Sequence, residues 1–183
     1  MRRVFFHISL LIAAVILVTS CSAEQENAHA TQIARIEQYI QKEMEKDPVL
    51  FYATNGDTFR LTRTAGEGKM LAPGDTLLFI YTGYGFSSYT FRDSDIFVTN
   101  DVDMDWKVTD STLVESAPAK IALGEDHVLE GLRLGLEGIK AGEVCEILFP
   151  SALGLGRTQV GTIPANSPLA YKVKAVSIIE KKR

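Results

Sequence analysis

The chain is poor in the side chains on which most metal and thiol chemistry depends. Its 183 residues include three histidines, two cysteines and one tryptophan. The cysteines, Cys21 and Cys145, lie far apart and near no histidine, so the ligand spacing of a zinc site is absent. Basic residues are outnumbered, with 19 Lys and Arg against 23 Asp and Glu and a formal net charge of −4. Because nucleic-acid binding needs a basic face, we expect no nucleic-acid partner, and we expect no metal or other cofactor.

The chain also has little hydrophobic sequence of membrane-spanning length. Its apolar run from Val4 to Val18 is shorter than the roughly 20 residues that a transmembrane helix needs. Two arginines precede this run and small residues follow it, which is typical of a secretory signal. The sequence Val18-Thr19-Ser20-Cys21 resembles the bacterial lipoprotein signal, in which the cysteine is lipidated and becomes the mature N-terminus.

The resemblance to a lipoprotein signal predicts a signal peptide over residues 1–20. It also predicts a lipid on Cys21 that holds the protein to a membrane. A cleaved signal with an incidental cysteine is the alternative. Because no aspartate follows Cys21, the expected location is the outer membrane of a bacterial cell envelope, facing the periplasm. Cys145 then has no disulfide partner, so stability must come from the core.

The segment after the signal changes from polar to amphipathic. Residues 21–30 are polar and are predicted to form an unstructured tether. Over residues 31–47 apolar side chains recur at helical spacing, which predicts a helix that ends at Asp47-Pro48. The apolar stripe consists of Ile33, Ile36, Tyr39, Ile40 and Met44. Such a stripe packs either on the helix's own domain or on a second copy of the chain, so dimerisation through this helix is the alternative.

The remainder of the chain shows strand patterns, turn signals and one short helix. The predicted strands are Phe59–Arg63, Thr76–Thr82, Tyr89–Phe91, Glu143–Phe149 and Leu169–Ile179. Turns are expected at Ala65–Gly68 and Pro73–Asp75, and a loop rich in glycine and proline at Gly154–Ser167. A helix over Val128–Glu137 carries leucines on one face, with Gly138 to end it. Because the strands do not alternate with helices, the predicted fold class is α+β.

Three segments of this region, in order and at similar spacing, resemble the FKBP family of peptidyl-prolyl cis/trans isomerases. The first runs from Pro73 through Tyr81-Thr82-Gly83 to Phe91, the second is residues 128–143, and the third is residues 149–169. The resemblance implies an FKBP-like domain over residues 50–180. This domain is an antiparallel half-barrel sheet wrapped around the short helix, with the ligand site between them, an N-terminal helical extension and an insertion at about 95–119.

The resemblance also implies which residues form the cleft that binds a proline-containing peptide. They are Tyr81, Phe91, Asp93, Val128, Leu129, Leu132, Leu155, Ile163 and Tyr171. The backbone N–H of Leu129 is implied to donate a hydrogen bond to the peptide carbonyl. The chain departs from the family pattern where Leu132 replaces a tryptophan, Leu155 a tyrosine and Ala119 an aromatic residue. The family's aspartate directly after the phenylalanine lies one place later here, at Asp93.

Isomerisation of an X–Pro bond needs no acid, base or nucleophile. Twisting the amide destroys its resonance, so the transition state is less polar than either ground state, and an apolar, water-poor cleft favours it. The expected function is therefore a lipid-anchored peptidyl-prolyl isomerase that acts on proline-containing segments of exported proteins. Because four positions of the cleft depart from the family pattern, a catalytically weak or inactive peptide-binding or chaperone module is the alternative.

The predicted insertion carries alternating acids, Asp101, Asp103 and Asp105, a pattern that invites comparison with calcium sites. An EF-hand loop needs glycine at its sixth position and glutamate at its twelfth, and these positions hold Trp106 and Thr112. We therefore interpret the acids as solvated side chains of an inserted hairpin. We also consider that Trp106 supplies an aromatic ring to the cleft.

Overall fold

The structure is a computed structural model that describes residues 25–101 and 117–182. The predicted signal peptide, the lipidation site Cys21 and residues 102–116 of the predicted insertion, including Trp106, lie outside the described residues. Within the two described ranges, no helix is long and apolar enough to cross a membrane.

Seven strands of the described chain form one antiparallel sheet. They are β1 (Phe51–Asn55), β2 (Thr58–Thr64), β4 (Thr76–Gly85), β5 (Ile96–Thr99), β6 (Ala119–Ala122), β8 (Val144–Phe149) and β9 (Leu169–Ile179). The order is β1-β2-β8-β9-β4-β5, and β6 pairs with the first part of β4, beside β5. Two short strands, β3 (Glu67–Met70) and β7 (Lys140–Ala141), pair separately. The helices are α1 (residues 25–46) and α2 (Glu130–Leu136).

Four of the predicted strands are confirmed, and they correspond to β2, β4, β8 and β9. The predicted α+β fold class is confirmed as well. The predicted strand Tyr89–Phe91 is wrong. This segment turns, because Tyr89 adopts a positive φ of 52° and the Ser88 hydroxyl hydrogen-bonds that of Thr90 at 3.1 Å. The strand that pairs with β4 at this point is β5, which begins at Ile96.

Five strands have no counterpart in the sequence-based assignment, namely β1, β3, β5, β6 and β7. The sequence does not predict β1, because all five of its residues are exposed and no buried side chain recurs at every second position. The turn predicted at Ala65–Gly68 extends into β3, whose four residues are also exposed. Strands that face solvent on both sides leave no hydrophobic alternation to find.

α2 lies against one face of the sheet, called here the inner face. Gly131 and Gly135 allow the close approach, because a side chain at either position would overlap the Phe149 ring or Ile147 of β8. Leu136, on the same helix, is fully buried in the core between helix and sheet. The glycine spacing along α2 therefore decides how closely the helix packs on the strand that supports it.

An arginine from the sheet fixes the end of α2. Nη1 of Arg60 donates to the carbonyl oxygens of Gly135 at 2.9 Å and Glu137 at 2.7 Å, and Nε lies 3.2 Å from Glu143. These carbonyl groups lie at the end of the helix, where they have no N–H donor within the helix. Gly138 follows with a φ of 75° and ends the helix, as predicted.

α1 packs on the opposite, outer face of the sheet. Ile36 and Ile40 are fully buried there in a cluster with Leu61, Phe86 and Leu148, so the predicted packing of the stripe on its own domain is confirmed. The helix is longer at its start than predicted, because residues 25–30 of the expected tether are helical. Its end at residue 46 agrees with the prediction.

A polar cluster holds the second half of α1 to the sheet. Arg63 of β2 contacts Glu43 at 2.9 Å and Glu146 at 3.0 Å, and the Tyr39 hydroxyl donates to Glu146 at 2.8 Å. Burial, and next the negative charge of Glu146, raise the pKa of Tyr39 well above its usual value. The neutral phenol therefore remains a donor, and α1 is joined to the sheet by polar as well as apolar contacts.

Candidate functional site

A cavity of about 850 Å³ opens on the inner face between α2, the sheet and the loops that follow β6 and β8. Its lining is mostly apolar. The lining residues are Phe79, Tyr81, Phe97, Val98, Ala119, Lys120, Ile121, Asp126, His127, Val128, Leu129, Leu132, Leu155, Val160 and Tyr171. The charged members and His127 are exposed, so the polar groups lie towards solvent and the interior is aromatic and aliphatic.

Six of the nine residues implied by the resemblance are brought together here. They are Tyr81, Val128, Leu129, Leu132, Leu155 and Tyr171. They come from β4, from α2 and the segment that enters it, from the loop after β8 and from β9. Residues that are far apart in sequence therefore converge on one cavity.

Phe91 and Asp93 do not belong to this cavity, and their assignment to it is wrong. The Phe91 ring packs on the outer face, with its centroid 4.8 Å from that of Tyr84 and 5.1 Å from that of Phe86. Asp93 is exposed in the short 3₁₀ turn before β5. The loop after Gly85 is long enough to carry both residues around the edge of the sheet, away from the inner face.

Phe97 takes the wall position that the resemblance gave to Phe91. It lies on β5, which pairs with β4 so that Val98 is opposite Gly83. A Cβ atom on Gly83 would lie 2.8 Å from Val98 and 3.0 Å from both Phe97 and Tyr171, so the absence of a side chain makes room for these three. The residue directly after Phe97 is Val98, so no acid follows the phenylalanine of this wall.

Ile163 is buried, but its side chain packs over Gly85 and does not line the cavity. The structure therefore does not bring its side chain into the cavity, and its role in the peptide-binding cleft stays a prediction. Val160, which forms an isolated antiparallel bridge with Ile163, lines the cavity in its place. Of the two residues that flank this short turn, Val160 lines the cavity and Ile163 is buried in the core.

The aromatic wall is a continuous set of ring contacts. The ring centroids of Tyr81 and Phe79 are 5.2 Å apart, and those of Tyr81 and Tyr171 are 6.0 Å apart. Phe149 stacks behind Tyr171 at 6.0 Å. Burial, followed by the neighbouring Tyr81, raises the pKa of Tyr171 well above its usual value, so its phenol is neutral at physiological pH. The wall therefore presents uncharged aromatic surface.

A side chain that sequence reasoning missed holds Tyr81 in place. Oδ1 of Asn100 accepts a hydrogen bond from the Tyr81 backbone N–H at 2.6 Å, and its Nδ2 donates to the Phe79 carbonyl at 3.0 Å. Asn100 is 3 % exposed and follows β5 directly. It satisfies the backbone of β4 at the point between the stretches paired with β5 and β6.

The floor of the cavity remains open although smaller residues have replaced larger ones. Leu132 of α2 is only 6 % exposed, yet it lines the space together with Leu155 and Ala119. A tryptophan side chain commonly buries 150–250 Å², so leucine at this position supplies less apolar surface to the floor than a tryptophan would.

One residue that lines the cavity carries a backbone N–H without a protein acceptor among the described residues. Leu129 directly precedes the first turn of α2, where backbone N–H groups have no acceptor within the helix. Among the described residues, its N–H donates to no acceptor, whereas its carbonyl accepts a hydrogen bond from Arg133 at 3.0 Å. A cavity-lining residue thus offers one N–H to a bound molecule.

The described ranges contain no group of three or more His, Cys, Asp or Glu residues that could hold a metal ion. Cys145 is buried in the core, and burial raises the pKa of its thiol well above the usual range. Cys145 is therefore a small core residue without nucleophilic character.

Comparisons with known proteins give one consistent family. The family model for FKBP-type peptidyl-prolyl cis-trans isomerases matches residues 67–176. FK506-binding protein 15 of Mus musculus is 31% identical over 112 residues, which are 60% of this chain and 8% of that protein. FkpA, an FKBP-type peptidyl-prolyl cis-trans isomerase of Escherichia coli (strain K12), is 29% identical over 148 residues, 79% of this chain and 53% of that protein. The chain thus spans about half or less of the length of these two relatives.

Solved structures show the same fold. The crystal structure of FkpA from Escherichia coli has a TM-score of 0.55 at 23% identity and covers 95% of this chain and 71% of that one. The N-terminal domain of FKBP42 from Arabidopsis thaliana has a TM-score of 0.54 at 18% identity and covers 71% of this chain and 93% of that one. Because the family model matches more than half of the chain, the protein belongs to the FKBP-type peptidyl-prolyl cis-trans isomerase family.

Proposed function

We propose that the inner-face cavity catalyses cis/trans isomerisation of X–Pro bonds in exported proteins. One observation carries the proposal: the cavity is open and apolar, with the Tyr81, Phe97 and Tyr171 rings along its wall and the Leu129 N–H at its edge. A proline ring fits against such a wall, and the N–H offers a hydrogen bond to the peptide carbonyl. No other reactive group is required for this reaction.

The chemistry follows from the polarity of the transition state. The barrier to rotation about the peptide bond is about 18–20 kcal/mol because rotation breaks amide resonance. Charge separation between nitrogen and oxygen falls as the bond twists, so water stabilises the planar ground states more than the twisted amide. A dry aromatic cavity removes that difference and lowers the barrier, while the Leu129 N–H holds the peptide in one orientation.

The substitutions at the cavity limit the expected rate. Leu132 and Leu155 replace a tryptophan and a tyrosine of the family pattern, and Ala119 replaces an aromatic residue. Each interaction lost from the transition state costs a factor of ten per roughly 1.4 kcal/mol. We therefore expect an isomerase that is slower than members with the full pattern.

A non-catalytic peptide-binding or chaperone module is the second candidate, and the same three substitutions favour it. A protease-coupled assay with a prolyl peptide separates the two functions. Acceleration at micromolar protein that is lost in Tyr81→Ala supports the isomerase. Peptide binding by the wild-type protein without any acceleration would leave the second candidate, and circular dichroism of Tyr81→Ala controls for unfolding.

For the location we propose a cell-envelope lipoprotein with Cys21 as the lipidated residue, which is tested on protein from the membrane fraction. The support is the sequence Val18-Thr19-Ser20-Cys21 after a basic and apolar leader. Mass spectrometry of the N-terminal peptide should find acyl chains on Cys21, and Cys21→Ser should release the protein from the membrane. Outer and inner membranes are then separated by density.

Dimerisation through α1 stays a prediction. Its apolar residues Ile36 and Ile40 are buried against the chain's own sheet, so a dimer needs either another face of the helix or exchange of α1 between two copies. Light scattering on the chain with and without residues 22–47 tests for this. A fall from two copies to one on truncation supports the dimer.

A further inference from the structure

A glutamine on α1 closes a ring of hydrogen bonds with the loop that borders the cavity. Oε1 of Gln32 accepts from the Ser151 N–H at 2.8 Å, and its Nε2 donates to the Asn166 carbonyl at 2.8 Å. Within the loop, the Ser151 carbonyl accepts from the Gly156 N–H at 2.8 Å. The Gly156 carbonyl in turn accepts from the Asn166 N–H at 2.7 Å, which completes the ring.

The side chain of Gln32 is held in place for this purpose. It is 8 % exposed, although glutamine is usually a surface residue, and both polar atoms of its amide have partners. Asn166 adopts a φ of 60°, which asparagine tolerates better than most residues. The Asn166 backbone thereby turns both its N–H and its carbonyl towards the ring.

The ring ties together both ends of the segment 156–166. This segment contributes Val160 to the cavity, and Leu155 lies directly before it. Apart from the ring, the main backbone support within the segment is the pair of hydrogen bonds between Val160 and Ile163. Ordering such a loop costs conformational entropy. Because the ring fixes the base of the loop before a ligand binds, less of this entropy is lost on binding.

We propose that Gln32 is a positioning residue for the cavity: α1, on the outer face, holds the loop in the conformation that places Leu155 and Val160 on the inner-face site. The inference rests on the proposed function only for its effect on catalysis. Its structural part, that Gln32 orders the loop, holds for a peptide-binding module equally. α1 is thus an element of the binding site and not merely a cover for the sheet.

Three variants test the inference. Gln32→Met keeps the length of the side chain and removes both hydrogen bonds. Gln32→Glu keeps an acceptor for the Ser151 N–H and sets a carboxylate against the Asn166 carbonyl. Gln41→Met is the matched control, because Gln41 lies on the same helix and is exposed. The measurements are amide hydrogen exchange at Ser151 and Asn166, and kcat and KM for a prolyl peptide.

The expected pattern is specific to the ring. Gln32→Met should speed exchange at both amides, whereas Gln32→Glu should speed exchange at Asn166 and leave Ser151 protected. KM should rise about three- to tenfold in both variants with kcat changed less than about twofold, because the substrate must then order the loop itself. Gln41→Met should match the wild type throughout.

Two results would overturn the inference. One is wild-type exchange at Ser151 and Asn166 in Gln32→Met. The other is faster exchange with no change in KM, or in the peptide dissociation constant if the wild-type protein binds without catalysing. Amide exchange requires neither substrate nor activity, so failure of the proposed isomerase function is recognised separately, by the absence of acceleration in the wild type. If Gln32→Met does not fold, Gln32→Glu is sufficient by itself, because the inference predicts faster hydrogen exchange at Asn166 and unchanged exchange at Ser151 in that variant.

Discussion

The rings of Phe97 and Tyr171 meet edge to face on the cavity wall, with centroids 5.9 Å apart and an interplanar angle of 81°. Such pairs contribute about 0.5–1.5 kcal/mol beyond the apolar area they bury. The contact joins β5 to β9 across Gly83 of β4, which has no side chain to separate them. The contact makes Phe97 part of the aromatic wall, whereas the Phe91 ring packs against Tyr84 and Phe86 on the other side of the sheet.

Phe97→Ala should therefore lower activity, whereas Phe91→Ala should lower stability. Phe97→Ala removes part of the cavity wall, and we expect kcat/KM for a prolyl peptide to fall about tenfold or more in folded protein. Phe91→Ala loses ring contacts with Tyr84 and Phe86, and should lower the free energy of unfolding by about 2 kcal/mol with near-normal kcat/KM. Urea unfolding and the peptide assay on both variants measure the two effects. The reverse assignment would show that the family motif does fall on Phe91.

Leu132→Trp should raise activity. The floor of the cavity is open at Leu132, and an indole there would replace open volume with flat apolar surface for the proline ring. We expect kcat/KM to rise about tenfold, since roughly 1.4 kcal/mol of added transition-state contact is enough. Leu132→Met, which conserves volume, is the control and should change kcat/KM little. A lower rate in Leu132→Trp would mean that the proline ring does not bind on this floor.

Gly131→Ala should destabilise the fold. The added methyl group would overlap the Phe149 ring, so α2 must move away from β8, at a cost of about 1–3 kcal/mol or more. Glu130→Ala, on the exposed side of the same helix, is the control. It loses the exposed ion pair with Arg133 and should change the free energy of unfolding by less than about 0.5 kcal/mol. Equal stability of the two variants would contradict the close packing of α2.

The fold should lose stability at alkaline pH. Burial, aided by the charges of Asp93, Asp101 and Glu146, raises the pKa of Tyr84 to about 12 from 10.0. The folded chain then keeps a proton that the unfolded chain releases, so this contribution is complete below pH 10 and is lost as the pH rises towards 12. The free energy of unfolding should fall by up to about 1.4 kcal/mol per pH unit for each such tyrosine.

Urea unfolding between pH 8 and pH 11.5 measures this slope, and Tyr84→Phe is its control. Because phenylalanine has no proton to lose, the variant should show a shallower decline than the wild type. An identical slope in both proteins would assign the alkaline transition to other groups.

Much of this fold could be predicted from the sequence because its central strands are strongly patterned. β4 and β9 are long and apolar, and the short leucine-bearing helix is bounded by Gly138. The cavity residues on these elements came together as the family resemblance implied. Elements with both faces in solvent, such as β1, carry no such pattern and were missed.

The errors arose where loop length and long-range contacts decide the structure. The loop between β4 and β5 carries Phe91 to the outer face, and the position of Phe97 depends on strand register that a motif cannot reveal. The first turns of α1 contact residues distant in sequence, as in the 2.9 Å pair of His29 and Asp57, and composition does not reveal such contacts. Composition alone therefore gave a tether where the chain is helical.

The most direct test of the account is exchange spectroscopy by NMR on a prolyl peptide whose cis and trans forms give separate signals. With protein at about one-hundredth of the peptide concentration, we expect exchange cross-peaks between the two forms that are absent without protein and absent with folded Tyr81→Ala. Shifted or broadened peptide signals without cis–trans exchange would contradict catalysis in the cavity and leave a binding module.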